Sequence, residues 1–211
     1  VQPLIQHTGR GITLRRGDID TDQIIPAEYC KRLTKTGYAD ALFAEWRTEP
    51  DFILNRPSSA DAEFLIAAHN FGTGSSREHA VWALRDWGFV AVVASSFGDI
   101  FRRNALKNGL IPVELPAPAV AALADQVDAE PDIELTVDLV GQEIQCAALR
   151  YGFAIDHRAR RLLVGGLDEI AMTLIRDSRI SAYERTRLDW LPSVNATAPL
   201  AYTGAAETRQ R

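Results

Sequence analysis

At 211 residues, with 46% hydrophobic and 24% charged side chains, the chain is long enough for one full core and has an ordinary globular balance. A formal charge of -5, with no basic run interleaved with aromatics, argues against nucleic acid as a partner. No apolar run reaches membrane-spanning length and the first residues show no signal-peptide pattern, so a cytoplasmic protein is expected. Cys30 and Cys146 match no zinc or redox spacing and fit such a reducing compartment as free thiols.

In chain order, the first segment closes in Arg15-Arg16-Gly17-Asp18-Ile19-Asp20-Thr21-Asp22-Gln23-Ile24-Ile25-Pro26. Asp18, Asp20 and Asp22 alternate as in a cation loop, but the glycine and glutamate that an EF-hand needs at its sixth and twelfth positions are missing. The plainer reading is a strand ending in an Asx-turn, with Pro26 barring a simple helix continuation. Residues 29–37 are mixed and basic and read as a loop whose cations are free to meet an acidic ligand or partner. Leu42, Phe43 and Trp46 predict a short helix, and Asn55-Arg56-Pro57-Ser58-Ser59 a turn.

The central stretch is Asn70-Phe71-Gly72-Thr73-Gly74-Ser75-Ser76-Arg77-Glu78-His79-Ala80. Phe64–Ala68 before it is short and apolar, as in a buried strand. Ala80, Ala83, Leu84 and Trp87 after it repeat at helical spacing until Gly88. Ser75 through Glu78 fits the capping-box pattern, which places Ser75 at the helix start and Arg77 in the first turn. Two glycines let the backbone bend and approach a ligand, and the helix N-terminus favours an anion. A cation there opposes the helix dipole, so Arg77 calls for an anionic partner. The stretch reads as a site for carboxylates or phosphates.

Phe89–Ala94 predicts a strand covered on both faces. Ser95-Ser96-Phe97-Gly98-Asp99 is a second strand-to-helix junction, Asn108-Gly109 ends that helix, and 110–115 is a further strand. Residues 64–115 thus read β-α-β-α-β, a parallel sheet whose ligands sit beyond the carboxyl ends of its strands. Residues 117–127 predict a helix. The alternation through 133–139 predicts a half-exposed strand, turning at Gly141-Gln142 into an antiparallel partner over 143–147. Two helices follow over 167–176 and 178–187, with Ile170 and Leu174 expected on an inward face. Residues 1–190 are read as one domain and 191–211 as a mobile tail.

The stretch Gly72-Thr73-Gly74-Ser75-Ser76-Arg77-Glu78-His79-Ala80 resembles the signature of the aconitase family's swivelling domain. Asp20-Thr21-Asp22-Gln23-Ile24-Ile25-Pro26, residues 89–94, Ser96-Phe97-Gly98-Asp99-Ile100-Phe101 and Asn104 follow the family's order and spacing. Thr36-Gly37-Tyr38, Leu42-Phe43, Trp46-Arg47 and Asp51-Phe52-Ile53-Leu54-Asn55 bring the resemblance closest to the small subunits of bacterial 3-isopropylmalate dehydratases, over roughly residues 8–190.

This resemblance implies an α/β, three-layer β/β/α swivelling domain with a central parallel sheet and a smaller antiparallel one. It implies a hydro-lyase that isomerises 2-isopropylmalate to 3-isopropylmalate through the alkene, in leucine biosynthesis. It further implies a large-subunit partner carrying a four-iron, four-sulfur cluster. This chain, with two distant cysteines, is expected to bind no such cofactor itself. On the same resemblance Ser75 matches the catalytic base, Asp22 an active-site aspartate, Arg77 the substrate carboxylate grip and Ser76 a neighbouring substrate contact. The loop 29–36 corresponds to the segment that selects the substrate's side group, with Leu33 as its aliphatic contact. His79 is expected to pack or cap.

Other readings fit less well. A dinucleotide site lacks its third glycine, whose place Arg77 takes, and no P-loop lysine is present. The serine is not in a G-x-S-x-G elbow. A related hydro-lyase acting on citraconate, dimethylmalate or homoaconitate, and a non-catalytic anion-binding module, remain as alternatives.

Overall fold

The two-residue period of a strand divides the core of this protein in two. In β2 (Ala62–Ala67), Phe64 and Ile66 enter one hydrophobic cluster while Leu65 and Ala67 enter another. In β3 (Ala91–Ala94), Ala91 and Val93 part in the same way from Val92 and Ala94. All eight of these side chains are buried, so both faces of the strands are covered, as continuous apolar runs require. The computed structural model describes residues 2–75, 77–188 and 190–191. They fall into two compact units that divide between Met172 and Thr173.

In the first unit one seven-stranded mixed sheet runs β4-β3-β2-β1-β5-β6-β7. Its parallel part comprises β1 (Gln6–Leu14), β2, β3 and β4 (Ile111–Glu114). Its antiparallel part comprises β5 (Glu134–Asp138), β6 (Glu143–Cys146) and β7 (Leu149–Gly152). The parallel and antiparallel sheets expected separately are one sheet, because β1 pairs with β2 on one edge and with β5 on the other.

The connections explain the two cores. Helices α2 (Glu78–Trp87) and α3 (Asp99–Lys107) link successive parallel strands and both bury their apolar sides in the first cluster. The long segment between β1 and β2 joins them there through Ile24, Tyr38, Leu42, Phe43 and Phe52. After β4 the chain must return past β1 to build β5. It does so on the opposite face, where α4 (Ala117–Ala129) packs across β1, β2 and β3. Helix α5 (His157–Gly165), which the residue pattern did not announce, adds Leu163 to this second cluster, as β7 adds a third antiparallel strand.

The segment from β1 to β2 is built of short 3-10 turns rather than one helix around Leu42 and Trp46. The expected Asx-turn at its start is instead α1 (Thr21–Ile24), a short helix with a reciprocal capping box. Asp20 Oδ1 accepts from the Gln23 backbone N–H at 2.8 Å, and Gln23 Oε1 accepts from the Asp20 N–H at 2.9 Å. Toward the C-terminus, α6 (Glu169–Leu174) leaves Ile170 and Leu174 exposed, 70% and 63%, against the inward face expected for them. Six residues make fewer than two turns, too short for an apolar stripe to cover itself. Helix α7 (Asp177–Thr186) lies in the second unit and buries no residue. The expected tail over 191–211 falls, beyond Leu191, outside the described residues.

Candidate active site

Three loops leave the carboxyl ends of β1, β2 and β3 and are tied together there by their own backbones. The Gly72 N–H donates to the Ile19 carbonyl at 2.7 Å, and the Thr21 N–H donates to the Thr73 carbonyl at 2.9 Å. On the other side the Phe71 N–H donates to the Ser96 carbonyl at 3.0 Å and the Gly98 N–H to the Phe71 carbonyl at 2.9 Å. Gly72 turns at φ +74°, and a Cβ there would lie 2.2 Å from the ring of Phe101. A Cβ on Gly98 would lie 2.5 Å from the Gly72 carbonyl oxygen. Only glycine permits both approaches. Beneath the turn, buried Phe71 meets Phe101 edge-on at 5.2 Å, a contact of about 0.5–1.5 kcal/mol beyond its burial.

A polar network braces the outer side of these loops. The Asn70 side-chain amide donates to Asp18 Oδ1 at 2.7 Å, the Asn70 N–H donates to Ser96 Oγ at 2.9 Å, and His69 Nε2 lies 3.1 Å from Asp18 Oδ2. The Asn70 amide holds the Asp18 carboxyl below its ordinary value, with a smaller contribution of the same sign from His69.

Inside the bracing stand Asp22, Ser75 and Arg77. Asp22 serves both of the others with one carboxylate. Its Oδ1 is ion-paired with Arg77 Nη1, and its Oδ2 accepts from Ser75 Oγ at 3.4 Å. Ser75 Oγ also lies 3.4 Å from Thr21 Oγ1. Arg77 is about a quarter exposed and Asp22 about half, so the pair sits at the mouth of the site rather than in the core.

The capping box expected at Ser75 is absent. The N-cap of α2 is Arg77, in extended conformation and with no side-chain cap bond. Both members of the expected box are engaged elsewhere: the Ser75 hydroxyl with Thr21 and Asp22, and Glu78 Oε1 as acceptor from the Asn108 side chain at 2.8 Å. Arg77 therefore stands just before the first helical turn, and a carboxylate of this chain already answers its charge. His79 packs between rings, 4.6 Å from Trp82 and 5.6 Å from Tyr38.

The loop after α1 is also more tied down than its composition implied. Arg32 is not free: it grips Asp40 with two bonds of 2.7 and 2.6 Å and lies over the rings of Tyr29 and Tyr38. Buried Tyr38 donates its hydroxyl to the Thr34 carbonyl at 2.8 Å. Leu33, between these anchors, is fully exposed. The structure thus gathers Asp22, Ser75 and Arg77, and leaves Leu33 on a loop tip without a contact to them. Ser76 lies outside the described residues. Thr21, part of the Asp20–Pro26 motif but given no role by it, completes the cluster; its place beside Asp22 in the sequence was the available signal. A cleft of about 750 Å³ between α3 and α5 includes Glu78 in its lining, but not Asp22, Ser75 or Arg77.

The donor set does not suit an iron–sulfur cluster. Such clusters need several thiolates converging on one point. Cys30 stands on the loop after α1, whereas Cys146 is buried in the second core, where desolvation pushes its thiol up. No group of three or more His, Cys, Asp or Glu side chains fit to hold a metal occurs among the described residues.

A family model described as the aconitase C-terminal domain matches residues 1–118. A 3-isopropylmalate dehydratase small subunit of Acidothermus cellulolyticus is 52% identical over 197 residues, covering 93% of this chain and 100% of that one. A small subunit of the same name from Streptomyces coelicolor is 47% identical over 192 residues, covering 91% and 98%. The crystal structure of a 3-isopropylmalate dehydratase from Methanocaldococcus jannaschii, 27% identical, matches with a TM-score of 0.62 over 84% of this chain and 99% of that one.

Proposed function

The chain belongs to the family of 3-isopropylmalate dehydratase small subunits, within the aconitase C-terminal domain family, and from this membership we propose that its Asp22, Ser75 and Arg77 form half of a dehydrating centre. The family is one of hydro-lyases of leucine biosynthesis. The name of small subunit implies a large-subunit partner, and we assign the four-iron, four-sulfur cluster to that partner. When bound there, the cluster would supply the Lewis acid that assists departure of the substrate hydroxyl.

The chemistry left to this chain is proton transfer at carbon and recognition of the carboxylates. In 2-isopropylmalate a proton leaves the carbon next to the one bearing the hydroxyl, giving the alkene and water. Rehydration in the opposite sense gives 3-isopropylmalate. Ser75 Oγ takes the carbon-bound proton, and Asp22 Oδ2 stands ready to receive the proton of the hydroxyl itself. Arg77 offers a planar fork of N–H donors that suits a substrate carboxylate, in place of or beside the one it now holds. Ser76 is assigned as its neighbour at the substrate. Leu33, an aliphatic side chain presented wholly to solvent, is assigned to the substrate's isopropyl group. The three-layer swivelling arrangement belongs to this proposal too, as the way the domain closes on its partner.

One observation carries the reading: a hydroxyl and a guanidinium from one loop converge on one carboxylate from another, at the carboxyl ends of the parallel strands. The test is to co-purify the chain with its cluster-bearing large subunit and follow the ultraviolet absorbance of the alkene from 2-isopropylmalate. Activity is expected only from the pair. Turnover by the isolated chain, or preference of the pair for citraconate, dimethylmalate or homoaconitate, would overturn it.

A further inference from the structure

Thr21 is fully buried, and among the described serines and threonines only Ser59 shares that condition. Ser59 satisfies its hydroxyl conventionally, donating to the Ile53 carbonyl at 2.7 Å. Thr21 has no such acceptor. Its backbone N–H is spent on the Thr73 carbonyl, and among the described residues its hydroxyl meets one partner, Ser75 Oγ, at 3.4 Å. A buried hydroxyl left unpaired is costly, so this contact is one the fold has reason to keep.

Counting protons gives the contact a direction. The Asp22 carboxylate, paired with Arg77, can only accept, so the single Ser75 proton goes to Asp22 Oδ2. The proton between Thr21 and Ser75 must then come from Thr21. We propose that Thr21 is a positioning residue for Ser75: its buried hydroxyl donates to Ser75 Oγ, sets the rotamer of that side chain and steers the remaining lone pair toward the substrate. A donor aimed at an oxygen from the dry side also favours negative charge there, which the oxygen of a base needs as it gives up its own proton. The backbone bond from Thr21 to Thr73 fixes the donor to the turn that carries Ser75, so the geometry is preset before any substrate arrives. The proposal rests on the reading of Ser75 as the base.

The test uses the chain combined with its large subunit. Thr21→Val keeps the volume and removes the hydroxyl; Thr21→Ser keeps the hydroxyl and removes the methyl group. A positioning role predicts that kcat of the valine variant falls roughly tenfold, the value of about one net hydrogen bond, with KM little changed. The serine variant should stay near the parent. A role in filling space predicts the reverse order, and that order would overturn the proposal. If the valine variant fails to assemble, Thr21→Ala against Thr21→Ser makes the same comparison: serine active and alanine impaired supports the role, and both impaired alike overturns it.

Coupling supplies a second readout. In a Ser75→Ala background, measured at its residual rate, Thr21→Val should cause no further loss, because the oxygen it serves is gone. An undiminished tenfold loss there would sink the Thr21 role while leaving Ser75 as the base. Full activity of Ser75→Ala by itself would instead sink the underlying reading.

Discussion

Asp22 Oδ1 and Arg77 Nη1 form an ion pair that fastens the loop after β1 to the loop after β2. Their charges meet at a partly exposed site, where such a pair contributes only about 0–1 kcal/mol to stability. The same guanidinium is the group assigned to the substrate. It is therefore held in place by an interaction weak enough for another carboxylate to replace.

Arg77→Lys separates the two roles. A lysine keeps the charge and loses the planar fork, so the fold should lose no more than about 1 kcal/mol while the carboxylate grip fails. We expect KM to rise and kcat to fall together, by roughly tenfold or more in kcat/KM. Steady-state kinetics of the paired subunits alongside thermal unfolding of the variant checks this, and unchanged kinetics would count against the grip.

Ser75→Ala removes the assigned base, one partner of Asp22 and the partner of the buried Thr21 hydroxyl, without removing an apolar core side chain. Its kcat should drop by roughly a hundred- to ten-thousand-fold, the usual worth of a positioned acid or base. Assembly with the large subunit should be intact by size-exclusion chromatography. Near-normal turnover would strip Ser75 of its role.

Gly72→Ala tests the turn itself. A left-handed φ costs an ordinary residue about 1–2 kcal/mol, and overpacking against Phe101 adds roughly 1–3 kcal/mol. For a chain of this size that total corresponds to a fall in Tm of about 4–20 °C. Calorimetry or circular dichroism would register it, and a Tm like the parent's would mean that the backbone relaxes around the ring. Any loss of activity beyond the loss of folded protein then reports displacement of Ser75.

The loop carrying Leu33 has its own acid limit. Arg32 holds the Asp40 carboxyl below its ordinary value by hydrogen bonding first and by its charge second. A lowered value in the folded state means that the pair stabilises the loop fully above the ordinary carboxylate range and loses this as pH falls through the lowered value. Hydrogen exchange over residues 31–38, corrected for intrinsic rates, should be level from about pH 7 to 5 and rise below about pH 4. Asp40→Asn should show the faster exchange already at neutral pH, with no further acid step from this pair.

Much of this was legible in the residues. The succession from β2 through α2, β3 and α3 to β4 follows from apolar runs of strand length, helical spacing at Ala80, Ala83 and Leu84, and glycines at the stops. The hairpin of β5 and β6 follows from alternation and from Gly141-Gln142. The motif around Ser75 and Arg77 and the Thr21-Asp22 pair could be matched to a family on residue types alone. Helix α5 and β7 were missed because their apolar residues are few and their burial depends on neighbours distant in sequence.

Local pattern, by itself, determined the succession of parallel strands and their helices and the β5–β6 hairpin, and singled out candidate residues, because the side chains within a few residues of one another decide which face is apolar. Only the tertiary structure decided what those residues do to each other. That Ser75 turns to Asp22 rather than capping α2 and that Thr21 is buried against Ser75 depend on two loops brought together by the pairing of β1 with β2, while Arg32 is spent on Asp40 within the first of those loops rather than left for a ligand. Contacts between such loops are set by strand register, which leaves no mark on the residues adjacent in the chain; Gly72 announces that a close approach is allowed but not which segment makes it.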